Sequence, residues 1–344
     1  MTITTVLGAG AMGTAAAWIL AQHPDCQVRL WGRNPDYVQQ IAQTRENQRL
    51  LPGTRLPASV LVTSSAPAAL ESASVVFWCM PMRGLRDALQ QLGSATPRGS
   101  LQVSTIKSIE NNTLLRPTEI LAASLPGCRI AALGGPCHAE EIVQRKPASI
   151  VAASTDPGAA GQIQALLSTE FLRIYANTDL PGVELAAALK NVIAIAAGIC
   201  DGLELGDNAK AALITRGLSE MVRFGSAFGI RPATFFGLAG LGDLITTCSS
   251  RHSRNRTVGE RLGRGEPLQA IECSMAAVAE GVATARSVFQ LAAAQGIEMP
   301  ISEQVYRVLF EGRSPREATL ELMNRPLKFE VPNPASNPAS GIQS

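Results

Sequence analysis

The opening stretch of the chain limits what it can fold into more than any other part. A β-branched run, Ile3 to Leu7, leads directly into Gly8, Gly10 and Gly13, and an Ala-rich helical pattern follows from about Thr14 to Gln22. Strand, Gly-x-Gly-x-x-Gly and helix, in that order, make the dinucleotide-binding turn of a Rossmann fold. Each glycine has its own task. Gly8 permits the tight turn, Gly10 lets backbone approach a pyrophosphate, and Gly13 lets the helix pack close to the strand. The pyrophosphate of such a ligand rests on the helix N-terminus, where free N–H groups point at it.

The end of the next strand selects the dinucleotide. A site that prefers NAD carries an Asp or Glu about 20 residues on, bonded to the ribose 2′-OH. Here the second strand, Gln27–Trp31, ends in Gly32-Arg33-Asn34, and Asp36 comes too late. Arg33 stands at the selecting position, where a guanidinium suits a 2′-phosphate as a bidentate partner, or else it is a surface residue starting the next helix. The expected cofactor is NADPH, with NADH also usable.

A chain of 344 residues has room for about two domains with full-sized cores. Its net charge of only +2 gives no footprint for nucleic acid or an acidic membrane surface. Seven scattered cysteines include no C-x-x-C pair, so neither a zinc site nor a disulfide framework is expected, and a reducing cytoplasm fits best. Three histidines, only one of them near a motif, give no metal triad. No signal peptide is read before the first strand. The longest apolar stretch, Val183 to Cys200, is interrupted by Glu184 and Lys190 and reads as a buried helix, not an integral membrane segment.

The first half alternates strand and helix patterns. Strands are expected over Thr2–Leu7, Gln27–Trp31, Val60–Thr63, Ser74–Met80, Leu101–Ser104, Arg129–Leu133, Ser149–Ala153 and Leu172–Ala176, with helices such as Tyr37–Glu46 and Leu85–Leu92 between them. The fold class is α/β: an N-terminal Rossmann-type, mainly parallel sheet covered on both faces, then an all-α C-terminal domain. Boundaries fall at 1–178 for the dinucleotide-binding domain, 179–330 for the helical domain that carries substrate and catalysis, and 331–344 for a Pro/Ser/Asn-rich tail expected to be disordered. Asn177-Thr178-Asp179 offers helix caps at the boundary, and Pro181 fits a first turn. Met80-Pro81-Met82 follows a strand, where a cofactor could lie.

Three polar islands stand out in the apolar second half. Lys190 and Asn191 interrupt an apolar helix; a buried ammonium is costly unless paired, and burial brings its titration nearer neutral pH, as acid–base catalysis requires, or else Lys190 snorkels from the helix edge to water. Asp243 stands among glycines and apolar residues in Gly240-Leu-Gly-Asp243-Leu-Ile-Thr-Thr247, and a carboxylate beside Lys190 would orient it. Ser253-Arg254-Asn255 combines a charged fork with neutral donors and suits a phosphate, or else forms a solvated basic loop. In the first half, Lys107 and the run Gly134-Gly135-Pro136-Cys137-His138-Ala139 each follow a strand. His138 reads as structural rather than catalytic.

These pieces together resemble NAD(P)-dependent glycerol-3-phosphate dehydrogenases of the bacterial type. The resemblance runs from about Thr2 to Lys328 and rests on GAGAMGTA at 8–15, LWGRNP at 30–35, TRENQRLLPG at 44–53, STIKSIE at 104–110, LGGPCHAEE at 133–141, ELAAALKNVIAIAAG at 184–198, GLGDLITTCSSRHSRNRTVG at 240–259 and VAEGV at 278–282. It implies interconversion of dihydroxyacetone phosphate and sn-glycerol 3-phosphate by hydride transfer, feeding glycerophospholipid synthesis. It implies that Lys190 is the general acid–base and that Lys107 contacts both substrate and cofactor. Asn191, Asp243 and Thr247 match the polar set that orders the catalytic site. Ser253, Arg254 and Asn255 match the phosphate-binding run, with Arg254 also near the cofactor; Gly135, Cys137 and Ala139 match the loop between substrate and cofactor. Gly8, Gly10, Ala11, Met12, Gly13, Arg33, Val278 and Glu280 complete the implied cofactor contacts. No metal is implied, and a homodimer is compatible with the family.

The chain departs from the family pattern in places. The loop usually reads Gly-Pro-Ser-Phe-Ala, and here Cys137 and His138 replace Ser and Phe; a thiol is the weaker hydrogen-bond partner. Ala11 and Met12 stand where Ser and an aromatic are common, and Leu50 where a Tyr near the cofactor is common. Two other readings compete: a related two-domain reductase acting on a hydroxy acid or another ketone, and a cofactor-binding sensor without catalysis. Ser253-Arg254-Asn255 discriminates against the first, because only a phosphate-bearing substrate obviously needs it. Lys190 and Asp243 in apolar surroundings discriminate against the second.

Overall fold

Strands that read as unbroken apolar runs need cover on both faces, and the fold supplies it. The computed structural model describes residues 1–275, 277–327 and 329–330; the tail expected to be disordered lies outside them. Ten strands occur among the described residues: β1 (Thr2–Leu7), β2 (Cys26–Trp31), β3 (Glu46–Asn47), β4 (Leu51–Arg55), β5 (Leu61–Thr63), β6 (Val75–Trp78), β7 (Leu101–Ser104), β8 (Arg129–Gly134), β9 (Ala148–Ala153) and β10 (Leu172–Asn177). Eight of them form one sheet in the order β10-β9-β8-β7-β6-β1-β2-β5. All neighbours are parallel except β8 and β9, so the sheet is mainly parallel, as expected. Alternate residues serve opposite faces: Val6, Leu30, Val75 and Phe77 join one core, while Leu7, Trp31, Val76 and Trp78 join the other. Strand order reverses between β1 and β6, and the crevice beyond their carboxyl ends is where such sheets bind ligands.

All eight strands of this sheet lie where the sequence places them, with ends moved by a few residues. Two helices differ. The first spans Ala11–Leu20, not Thr14–Gln22, because extended Gly10 is its N-cap and Gly13 lies inside it. A Cβ at Gly13 would come within 1.8 Å of the Gly8 carbonyl oxygen, so only glycine lets this helix touch the end of β1. The second spans Pro35–Thr44, not Tyr37–Glu46: Asn34 accepts from the Tyr37 N–H as N-cap, and Arg45 closes the helix at a φ of 59°. The hairpin β3–β4 has no signal in the sequence, because a two-residue strand with an irregular register offers no alternation to read.

After β10 the chain is helical. Asp179 caps the helix Leu180–Gly202 through the Gly182 N–H at 3.1 Å. This central helix is long and apolar enough to cross a membrane, yet it is buried inside the protein. A helix that is apolar all round must be surrounded, and its four charged or amide residues each find partners, Asp201 accepting from Lys210 at 2.8 Å and from Arg256 at 2.6 Å. Glu184 accepts from the Thr118 N–H at 2.9 Å and from the Arg116 guanidinium at 2.7 Å; Lys190 and Asn191 are treated below. The loop after β7 enters this helical part: Ile109 belongs to its core, and Ser108 bonds Thr284 at 2.8 Å.

The central helix and the helix Arg254–Gly263 cross with their backbones in close approach. Gly198 and Gly202 on one face Gly259 and Gly263 on the other, each pair spaced by four. A Cβ at Gly259 would lie 1.9 Å from the Ile195 carbonyl oxygen. Backbone cannot move aside as a side-chain tip can, so the overpacking penalty, about 1–3 kcal/mol and occasionally more, exceeds the helix-propensity gain of about 0.8–1.0 kcal/mol for replacing glycine. Gly259→Ala is therefore expected to lower the thermal midpoint; a raised midpoint would mean that the two helices separate without cost.

Candidate functional site

One buried carboxylate organises the site. Asp243 follows a π-helical turn, Leu238–Gly242, and opens the short helix Asp243–Ser249. A Cβ at Gly240 would meet the Phe235 carbonyl oxygen at 2.0 Å, so this turn needs its glycine. One oxygen of Asp243 accepts from Lys190 Nζ at 2.9 Å and the other from Lys107 Nζ at 2.7 Å. Lys190 Nζ also donates to Thr247 Oγ1 at 2.7 Å, and Lys107 Nζ to the Gly135 carbonyl oxygen at 2.8 Å. Lys190 comes from the central helix and Lys107 from the loop after β7, so the two halves of the chain meet on one side chain. The Lys107 side chain keeps 19% of its surface exposed and Lys190 only 6%, which makes Lys107 the more accessible ammonium.

Burial and charge oppose each other here. Burial would raise the Asp243 carboxyl, but the Lys107 and Lys190 ammonium groups override it and hold it below the usual carboxylate range. Burial works against the charge on Lys107, yet the Asp243 carboxylate wins and its pKa is raised. For Lys190 burial wins: with Lys107 adding repulsion, its pKa falls to about 8 despite Asp243. Two lysines on one carboxylate thus have different acidities, set by environment. Burial also pushes the Cys137 thiol up, partly offset by the Lys107 ammonium.

A chain of amides locks the surroundings. Asn191 Nδ2 donates to the Lys107 carbonyl oxygen at 2.8 Å. Asn255 Nδ2 donates to Asn191 Oδ1 at 2.8 Å, and Asn255 Oδ1 accepts from the Gly281 N–H at 2.9 Å. Ser253 caps the helix Arg254–Gly263 by accepting from the Arg256 N–H, with its own hydroxyl hydrogen still available. Arg254 is exposed and donates to the Val278 carbonyl oxygen at 2.8 Å. Glu280 Oε1 accepts from the Met82 N–H at 3.0 Å, tying the loop after β6 to the helix Glu280–Gln295. Burial raises the Glu280 carboxyl, opposed by the Met82 N–H and by Arg254.

The glycine turn fits a dinucleotide. Gly8 adopts a φ of +119°, and a Cβ there would strike the Cys79 carbonyl oxygen at 2.2 Å, so the turn is pressed against the end of β6. At Gly10 an added Cβ would meet nothing within 4 Å, leaving backbone bare toward the crevice. The helix behind it has no side-chain cap and no acidic residue in its first turn, so its first N–H groups are left for an anion. Ala11 and Met12 form that first turn, and Ala139 packs beside them with Ala15. Cys137 Sγ lies 3.8 Å from Met12 Sδ, which places the loop after β8 against the turn. Arg33 lies just beyond β2, with its side chain 72% exposed and one ion pair at 3.9 Å to an equally exposed Asp87.

Two contributors escaped the sequence reading. Asn47, fully buried in the unforeseen hairpin, donates to the Ala9 carbonyl oxygen at 3.1 Å and to Thr14 Oγ1 at 2.7 Å, and accepts from Tyr37. It bolts the hairpin to the glycine turn beside half-buried Leu50. In the sequence Glu184 is only an interruption of an apolar run; its partners Arg116 and Thr118 lie more than sixty residues away.

Removing one partner of a buried ion pair costs about 3–5 kcal/mol. Asp243→Asn leaves two buried ammonium groups facing a neutral amide, so a stability loss of that order is expected in denaturant unfolding. An unchanged midpoint would mean that Asp243 does not hold the two lysines together.

Two family models and several named relatives match most of the chain. The model described as NAD-dependent glycerol-3-phosphate dehydrogenase N-terminus matches residues 3–160, and the corresponding C-terminus model matches 179–320. The glycerol-3-phosphate dehydrogenase (NAD(P)+) of Chlorobium limicola is 46% identical over 95% of this chain and 98% of its own length. That of Geobacter metallireducens is 47% identical over 94% of this chain and 98% of its own. The crystal structure of glycerol-3-phosphate dehydrogenase from Coxiella burnetii superposes with a TM-score of 0.90 at 34% identity, covering 94% of this chain and 99% of that one. With both halves matched and relatives alike over nearly their whole length, the chain belongs to the NAD-dependent glycerol-3-phosphate dehydrogenase family.

Proposed function

We propose that this protein interconverts dihydroxyacetone phosphate and sn-glycerol 3-phosphate with NADPH, or with NADH, and that Lys190 is its general acid–base. The observation that carries the reading is the Lys190 ammonium, buried between Asp243 and Thr247 with a pKa of about 8. The nicotinamide, when bound, supplies hydride to the ketone carbon. Lys190 Nζ gives its proton to the carbonyl oxygen; in the reverse direction the neutral amine takes the hydroxyl proton. Lys107 is the second cation, stabilising the negative charge that develops on that oxygen. Asp243 and Thr247 orient Lys190, and Asn191 holds the Lys107 backbone. Ser253, Arg254 and Asn255 receive the phosphate, while Gly135 and Cys137 border the substrate. Gly8, Gly10, Ala11, Met12 and Gly13 take the pyrophosphate side, with Ala139, Val278 and Glu280 as further cofactor contacts. Seven free cysteines are compatible with work in the reducing cytoplasm, as a homodimer whose product feeds glycerophospholipid synthesis.

Lys190→Met is expected to lower turnover about 10²–10⁴-fold, the usual contribution of a positioned acid or base. The ammonium form prevails below pH 8, so wild-type ketone reduction declines as pH rises through about 8 while alcohol oxidation gains. Turnover near wild type, or a profile without that inflection, would remove Lys190 from the role.

Arg33 is free to choose the cofactor, since one long, exposed ion pair holds it weakly. Losing a charged contact to the 2′-phosphate costs about tenfold. Arg33→Ser is thus expected to raise KM for NADPH by about that factor and leave KM for NADH nearly unchanged; equal effects on both would refute the assignment.

A further inference from the structure

His138 and His252 lie outside the machinery described above, yet they sit beside it. Their rings are 5.6 Å apart, tilted by 50°, and they line one pocket of about 350 Å³ between the loop after β8 and the loop before Ser253. Ser249 and Ser250 supply hydroxyls to its wall, and Lys146 and Arg251 supply cations. Both cations are exposed, and neither side chain has a hydrogen bond or ion pair among the described residues. Glu141 also borders the pocket without pairing to either. The balance is two free cations against one carboxylate, with two imidazoles and two hydroxyls able to donate. His138 Nε2 is buried with no hydrogen-bond partner, a state that is costly unless a bound species supplies the partner.

We propose that this pocket is an anion site, separate from the Ser253-Arg254-Asn255 run, for a small phosphate dianion or a phosphate monoester. The cations supply charge, the hydroxyls fill the remaining acceptor positions, and the imidazoles close the site toward Lys190. Thr246 lines the pocket, and the next residue in the same helix, Thr247, bonds Lys190. The proposal does not depend on the dehydrogenase reading.

The chain has only three histidines, which makes the test direct. Imidazole Hε1 resonances of the full-length protein are followed by NMR during titration with inorganic phosphate, at constant ionic strength. The resonances of His138 and His252 are expected to move saturably while that of His23, in the turn before β2, stays still. A Lys146→Ala/Arg251→Ala double variant, changed only at exposed side chains, is expected to weaken that binding by about tenfold or more, one charged contact's worth, with dehydrogenase turnover unchanged. Arg254→Ala is expected to leave it within about twofold, as a screened neighbouring charge would. Repeating the titration with methyl phosphate tells the free anion from the ester by which binds more tightly. Absence of a saturable shift, binding that survives the double variant, or binding lost with Arg254→Ala would each overturn the proposal.

Discussion

Asp243 holds two ammonium groups that come from different halves of the chain, and the remaining architecture exists around that contact. Three charges in one buried cluster are expensive to desolvate, and the cost is offset only if geometry is tight and the other donors are satisfied. Here each oxygen of the carboxylate meets one lysine, Thr247 takes a further Lys190 proton, and the Gly135 carbonyl takes one from Lys107. The same cluster separates the two lysines chemically. Lys190, deeper in the helical part, drops to a pKa of about 8, whereas Lys107 is raised and stays a fixed cation. One group can then exchange a proton near neutral pH while the other supplies constant charge.

Backbone contact makes that geometry rigid. The paired glycines at the crossing of Leu180–Gly202 and Arg254–Gly263 bring the helices together without side chains between them. The register so fixed sets Asn255 against Asn191, and Asn191 against the Lys107 carbonyl. At the other end of the cleft, Gly8 and Gly13 do the same for strand and helix. Glycine in a helix interior costs about 1 kcal/mol in propensity; at these positions any Cβ would cost more by forcing backbones apart.

Much of this was legible in the chain. The strands are runs of Val, Ile and Leu buried on both faces, and local pattern suffices to find them. Lys190, Asn191 and Asp243 announce themselves as polar residues in apolar runs, because burial makes such residues rare unless they are paired. What stayed hidden depends on partners distant in sequence. Asn47 lies in a hairpin too short to alternate, and its bonds go to Ala9 and Thr14. Glu184 looks like a flaw in an apolar helix until Thr118 and Arg116 meet it. His138, read as structural, has an unpartnered ring nitrogen and a second imidazole beside it, neither of which spacing reveals.

The sequence by itself determined the elements and their chemistry: a glycine turn between strand and helix, a sheet followed by helices, and ionisable groups set in apolar surroundings. These follow from local sterics, hydrophobic periodicity and desolvation, which act over a few residues. The tertiary structure alone decided which groups meet. That Lys107 and Lys190 share one carboxylate, and that only Lys190 is brought to a pKa of about 8, depends on relative burial and on distances between residues far apart in the chain. Electrostatic energy is a function of those distances and of exclusion from water, and neither quantity is written in sequence order.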